Sequence, residues 1–520
     1  MRCILPLLAL AFAPATLLAE LKLPAIFGDH MVLQQNQADR IWGWDTPGVN
    51  VTVAFAGQSY TGTAGADGKW MVTLAPLPAS FTPQTLSIAG SSRREVQDVL
   101  IGEVWMCSGQ SNMGFTLGQD WNGDLESRAS DLPGIRLIQA PLLGTQELLS
   151  DFQPGSRGQW RLATSETTVR FSAVGFLFGR YLHQVLHVPV GLIDNAWGGS
   201  SAEAWVRRSS LEGDPRFARL MKATQEHESQ LQSEKGKADF ARVMADWKAA
   251  VEKARVEKAP RPAQPEDWLA GQHRPGNIFS GVVYPTLGYG IKGVIWYQGE
   301  SNTGQAYEYK SLFPFVIEQW RTEQGQGDFP FYWVQLADYH AENAKPGEGT
   351  YAELREAQTQ TMKLPNTGQA VIIDLGEGKD IHPRNKHDVA ARLVRWALVK
   401  DYGMKLAYRS PEFASLEIRG GRALVAFDTF GSSLRPFDVE EVRGFAICGA
   451  DRVWYWAKGR MVGKDRVEVW SDEVAAPVAV RYGWADNPVV NLYSNDGLPV
   501  TPFRTDDFPM TTEPKATAHR

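Results

Sequence analysis

Three cysteines in 520 residues are too few to staple a scaffold, and Cys3 lies in the leading apolar segment. Cys107 and Cys448 remain, in unlike surroundings, and are expected as two separate buried thiols. No apolar run is long enough to span a bilayer, since the longest, near the start, falls well short of about 20 residues. No basic block stands against the net charge of −6, which argues against a nucleic-acid partner. Low-complexity tracts are absent, so bulk disorder and collagen-like or coiled-coil chains are excluded. No metal signature is present either. His183 and His187 are one helical turn apart, but the string between them lacks the acid of a zinc helix. No metal and no organic cofactor is therefore expected.

What is present reads as a globular, exported chain. The composition is 43% hydrophobic and 22% charged, and the length calls for two or three domains. Arg2, the apolar stretch Ile4 to Phe12 and the small residue Ala19 form an export signal over residues 1–19. A soluble periplasmic or secreted product is expected, with no membrane partner. Loss of Arg2 leaves the mature chain one unit more negative. Eighteen Trp and fifteen Tyr supply flat rings of the kind that stack on sugar faces, although most such rings fill cores.

Residues 20–99 alternate between short strands and turns, as in Val51-Thr-Val-Ala-Phe and Trp70-Met-Val-Thr-Leu, and suggest a small β-sandwich. Residues 100–408 change character. Uninterrupted apolar runs at Val104, Val190, Gly293, Phe331 and Ala370 suit strands buried on both faces. Helical stretches at Val174 to Leu186, Leu312 to Gln324 and Lys386 to Lys400 separate them. The expected fold is therefore α/β, a parallel sheet flanked by helices, with ligands bound beyond the strand ends. Residues 207–268 break the alternation with an amphipathic pattern at Phe240, Val243, Met244, Trp247 and Val251, read as a helical insertion. Residues 409–520 return to strands. They form either a separate sandwich or one shared with the N-terminal strands.

Four strand ends carry chemistry. Gly109-Gln-Ser-Asn-Met113 follows the run Val104 to Cys107, and its glycine permits the tight turn that presents Ser111. A serine hydroxyl needs a base and an oxyanion hole to act as a nucleophile. The string is not the elbow of α/β-hydrolases, because Met113 stands where the final Gly belongs. A structural turn serine fits the spacing equally well. Asn195-Ala-Trp-Gly-Gly-Ser-Ser201 offers backbone amides at Gly198 and Gly199. Trp296-Tyr-Gln-Gly-Glu-Ser-Asn302 offers side-chain amides at Gln298 and Asn302. Asp380-Ile-His-Pro383 offers an imidazole with an acid that could orient it.

In this order the motifs resemble the SGNH hydrolases, and more narrowly the sialate O-acetylesterase family. The likeness is carried by GEVWMCSGQSNM, NAWGGSSAEAW, GVIWYQGESN and DIHPRNKHDVAARL, and outside them by DHMVLQQ, IWGWDTPGVNVTV and GFAICGADRVWYWA. It spans nearly the whole mature chain. The resemblance implies an SGNH-type fold, Ser111 as nucleophile and His382 as general base. The implied oxyanion hole consists of the Ser111 amide, a glycine amide at Gly198 or Gly199, and a third-block side chain, Gln298 ahead of Asn302. Two departures stand out. The third block puts Gln298 where the wider pattern has Asn, and the last acid and base are spaced Asp-x-His rather than Asp-x-x-His. Asp380, Asp374 or a Ser–His dyad therefore stay open. The implied substrate is an O-acetylated carbohydrate, either a sialic acid or a plant polysaccharide such as xylan or xyloglucan. A carbohydrate-binding protein without turnover is the reading from another class.

Overall fold

A computed structural model describes residues 20–155 and 157–514, so the expected export signal lies outside the described residues. Six strands precede the central sheet: β1 (Val32–Gln34), β2 (Arg40–Trp44), β3 (Asn50–Phe55), β4 (Gln58–Thr63), β5 (Lys69–Thr73) and β6 (Ser80–Ala89). The next, β7 (Arg93–Gly109), is 17 residues long and carries the fold. Its first half pairs antiparallel with β6 and parallel with β1. Its second half is the middle of the sheet that continues with β8 (Leu132–Gln139), β9 (Arg161–Ala163), β10 (Val190–Asp194), β11 (Gly293–Tyr297), β12 (Phe331–Val334) and β13 (Thr367–Ala370). The boundary expected at residues 99 and 100 thus falls inside one unbroken strand.

The strand order is β13-β12-β11-β7-β10-β8-β9. Every neighbouring pair from β13 to β8 is parallel, as expected, but β9 returns antiparallel to β8. The expectation of a wholly parallel sheet is therefore corrected to a mixed one. A parallel neighbour needs a long crossover, usually a helix, whereas an antiparallel one does not. The chain between Gln139 and Arg161 has no helix among the described residues.

Side chains alternate across β7. Val104 and Met106 face one core with Trp296, Phe331 and Trp333, while Trp105 and Cys107 face the other with Leu192, Ile295 and Tyr332. Helices Ala306–Gln324 and Thr350–Gln360 cover the first face, and Ala173–Leu186 and Lys386–Lys400 cover the second. The run read as a strand from Ala370 is shifted, since the ladder ends at Ala370 and the chain then turns through Ile372 to Leu375. Cys107 and Cys448 are free and buried.

Within residues 207–268 the main elements are helices Ala218–Gln232 and Glu234–Glu257. The longer one buries only Ala254. Its apolar stripe is instead partly covered by the proline-rich return, where the Trp247 indole donates to the Pro262 carbonyl at 3.1 Å. Beyond residue 409 the strands form two four-stranded sheets, Glu412–Arg419 with its neighbours and Phe445–Cys448 with its own, and a two-stranded pair, Leu434–Pro436 with Leu492–Ser494. They enclose a core of Val425, Phe427, Ile447, Val467, Val480 and Tyr482. These strands are separate from the N-terminal ones, of which β1, β3, β4 and β6 join the sheet of β7, while β2 and β5 pair with each other and share its core. No helix among the described residues is long and apolar enough to cross a membrane.

Candidate active site

Three strand ends are stitched together before any side chain reaches the site. β7 pairs with β11 up to Gly109 and Tyr297. Gly109 has φ +130°, and a Cβ there would lie 2.2 Å from the Tyr297 carbonyl oxygen, so only glycine fits. The Gln110 amide then donates to that same carbonyl at 2.9 Å, and Ser111 opens the short helix Ser111–Gly114. Beyond β10 the Trp197 amide donates to the Gly109 carbonyl at 2.9 Å, which lays the glycine pair over Ser111. A Cβ on Gly198 would lie 3.4 Å from the Ser111 Cβ, whereas one on Gly199 would meet Gln272. Gly198 is therefore the glycine beside Ser111.

His382 arrives from the loop between β13 and helix Lys386–Lys400. Its Nε2 lies 2.8 Å from the Ser111 Oγ, so residues 271 positions apart share a hydrogen bond. Asp380 is near but differently engaged. Its Oδ1 accepts from the His382 backbone amide at 2.9 Å and stands 3.5 Å from the ring Nδ1, outside strong hydrogen-bond range. Asp374, the other acid considered, is held elsewhere by both Arg392 guanidinium nitrogens, at 2.6 and 2.8 Å, and does not reach the imidazole. Burial pulls the His382 pKa below its usual value. The Asp380 carboxylate opposes that shift and the Lys386 ammonium adds to it.

Gln298 and Asn302 are brought to the neighbouring strand end, but both are buried and engaged. The Gln298 Nε2 donates to the Ser200 carbonyl at 3.1 Å and to the Asn302 Oδ1 at 2.7 Å. Asn302 in turn donates to Glu203 at 3.0 Å and accepts from the Ala202 amide at 2.9 Å. Both Gln298 amide hydrogens are thus committed to fixing the turn after the glycine pair. For Gln298 to donate to an oxyanion, one of those bonds must be given up.

Sequence reasoning missed the network beneath the pair. Asn112 donates to Glu300 at 2.6 Å and to the Ile381 carbonyl at 3.0 Å, and accepts from the Lys386 Nζ at 2.6 Å. One side chain therefore ties the residue after Ser111 to the residue before His382. Lys386 is fully buried over the rings of Phe115 and Tyr297, and burial brings its pKa down to about 7. Burial likewise pushes the Glu300 carboxyl up, and its Oε2 has no hydrogen-bond partner among the described residues. The available signal was a lysine at the first position of an apolar helix, three residues after Pro383.

Comparison with known proteins places the chain. Residues 240–391 match the family model of a carbohydrate esterase described as sialic acid-specific acetylesterase. Sialate O-acetylesterase from Mus musculus is 30% identical over 91% of this chain and 92% of its own length. That from Rattus norvegicus is 32% identical over the same shares. The crystal structure of a carbohydrate acetylesterase from Xanthomonas citri superposes with a TM-score of 0.79 at 35% identity, covering 94% of this chain and all of the other. The chain belongs to a carbohydrate-esterase family that includes the sialate O-acetylesterases. Membership implies a hydrolase. The span matched by the family model holds Gln298, Asn302, Asp380 and His382, while Ser111, Gly198 and Gly199 lie ahead of it.

Proposed function

We propose that this exported family member is an O-acetylesterase of carbohydrates using SGNH-type serine chemistry, with Ser111 as nucleophile and His382 as general base. The observation that carries this reading is the 2.8 Å contact between the Ser111 Oγ and the His382 Nε2. The low pKa of His382 supports it, because the imidazole stays neutral and able to accept a proton at and below neutral pH.

His382 takes the Ser111 proton as Oγ bonds to the acetyl carbonyl carbon. The resulting oxyanion sits against the backbone amides of Ser111 and Gly198, with Gln298 as a third donor if it releases a present bond. Gly199, Asn302 and Ser200 hold that wall in place. Collapse breaks the bond to the sugar oxygen, which leaves as an alcohol with the proton from His382. Water, deprotonated by His382, then attacks the acetyl-serine, and acetate departs as Ser111 regains its proton. Asp380 braces the loop and favours the imidazolium, whether or not it closes to a triad.

Both the sialic acid and the plant polysaccharide substrates keep the same acetyl chemistry. The test is acetate release from 4-nitrophenyl acetate and from a panel of O-acetylated sialic acids, xylan and xyloglucan, by wild type and Ser111→Ala. Wild type should turn over and the folded variant should not. Undiminished turnover by Ser111→Ala sinks the nucleophile assignment.

A further inference from the structure

Of eighteen tryptophans, sixteen are buried or partly covered, and two, Trp121 at 62% and Trp456 at 39%, are exposed. Single exposed rings are common and need no explanation. These two are set apart by where they stand: each is anchored to a segment that contacts the His382 loop.

Trp121 follows Asp120, whose carboxylate accepts from the Lys386 amide at 2.9 Å and pairs with the His387 Nδ1 at 2.9 Å. The Trp121 amide itself donates to the Arg384 carbonyl, two residues after His382, at 3.4 Å. The backbone is thereby pinned to the catalytic loop while the ring stays in solvent. No ring or cation stacks on it among the described residues.

Trp456 stands on the C-terminal sandwich, facing the loop after β12. Its indole N–H donates to the Ala344 carbonyl at 3.2 Å, which fixes the ring orientation, and its faces too carry no stacked partner among the described residues. It borders a cleft of about 280 Å³ also lined by Glu342, Asn343, Glu441, Arg443 and Asn487. Apart from Asn487, these polar heads make no side-chain hydrogen bond or ion pair among the described residues. Asn487 closes the link to the site. It donates to the His340 carbonyl at 2.6 Å, and both groups press on Gly378, where a Cβ would lie within 2.8 Å of each. Gly378 is four residues ahead of His382.

We propose that Trp121 and Trp456 are sugar-stacking platforms, the first tied to the chain just after His382 and the second, through the loop of His340 and Ala344, to the chain just before it, and that the substrate is a neutral glycan chain bound across both. This rests on the acetylesterase reading and narrows its substrate. At Trp456 a fixed ring with free faces, beside uncommitted carboxylate, amide and guanidinium groups, suits a pyranose with its apolar face and ring of hydroxyls, and Trp121 adds a second exposed ring. Two carboxylates against one guanidinium, on a chain of net charge −6, disfavour an acidic glycan in the cleft.

The test compares Trp121→Ala, Trp456→Ala and Trp456→Phe with wild type on acetylated xylan, acetylated xyloglucan and 4-nitrophenyl acetate. For each alanine variant, the ratio of kcat/KM on the better polymer to that on the aryl ester should fall roughly 3- to 10-fold, mainly through KM, with partial rescue in Trp456→Phe. Affinity for xylohexaose or the xyloglucan heptasaccharide, measured by calorimetry on a Ser111→Ala background, should weaken by a similar factor. Unchanged ratios and affinities in both alanine variants overturn the platforms. Acetate release from O-acetylated sialic acid monosaccharides alone would overturn the glycan-chain substrate while leaving the esterase reading intact. Failure of Ser111→Ala to stop hydrolysis would remove the nucleophile assignment, and no acetate release by wild type from any of these esters would remove the esterase reading; in both cases oligosaccharide affinity would still report on the platforms.

Discussion

The two halves of the Ser111–His382 contact are built to different standards. On the serine side, β7, β10 and β11 converge, and the Gly109 turn, the Trp197 amide and the Gln298–Asn302 pair leave the backbone no freedom. On the histidine side a loop carries a half-exposed acid 3.5 Å from the ring, and no other group accepts from Nδ1 among the described residues. The loop is held instead from the serine side, through Asn112 and the Ile381 carbonyl. Rigidity is thus supplied by the sheet and lent to the loop, and the imidazole proposed as base is positioned by its neighbour's backbone rather than by a carboxylate on its far nitrogen.

The largest effect tests the contact itself. His382→Ala removes the proposed base and should lower kcat on an aryl acetate roughly 10⁴- to 10⁶-fold, with the fold intact by thermal melt. A loss below tenfold would move the base elsewhere. Next is the tether. Asn112→Ala leaves Ser111 and His382 in place chemically but removes the tie that joins their two segments directly, and a displacement of about 1 Å costs on the order of 100-fold in turnover. That loss should fall on kcat, with KM nearly unchanged. An equal loss in both would point to general damage rather than lost alignment.

How much of this was legible in the chain follows the same division. The apolar runs of the parallel strands and the helix Lys386–Lys400 were readable because strands buried on both faces have little choice of residue. The Gly109 turn was readable because it follows a strand end, whereas the pairing of Ser111 with His382 was implied by the family resemblance, since His382 lies in a long loop beyond Ala370, where β13 ends. The antiparallel β9 was not, since three residues carry no periodicity. Neither was the continuity of β7 across the expected domain boundary, because its largely exposed first part and wholly buried second part read as two different elements. The Asn112–Lys386–Glu300 network was invisible for another reason. A lysine at a helix start reads as solvated, and only tertiary packing buries it.

A smaller effect is expected at the acid. In a tight Asp–His pair, loss of the carboxylate costs about 10⁴ in turnover. Asp380 is half exposed and 3.5 Å away, and an exposed charge pair of that kind contributes about 0.2–1 kcal/mol. Asp380→Asn should therefore slow turnover only about 2- to 5-fold. A fall near 10⁴ would mean that the loop closes into a true triad during catalysis, and would erase the contrast between the two sides.

The smallest effect is a displacement of the acid limb of the pH–rate profile. With His382 as the proposed base, turnover needs it neutral, so the rate should fall as pH drops through its pKa. Burial depresses that pKa, Asp380 raises it and Lys386 lowers it. Lys386 itself titrates at about 7, so it carries its charge on the acid side, where His382 is being protonated. Removing that charge in Lys386→Met should move the acid limb to higher pH, by less than about one unit given partial screening. Asp380→Asn should move it the other way. Two variants displaced in the same direction would show that neither charge is felt at the imidazole. The buried ammonium would then be only a structural prop between Asn112 and the rings of Phe115 and Tyr297.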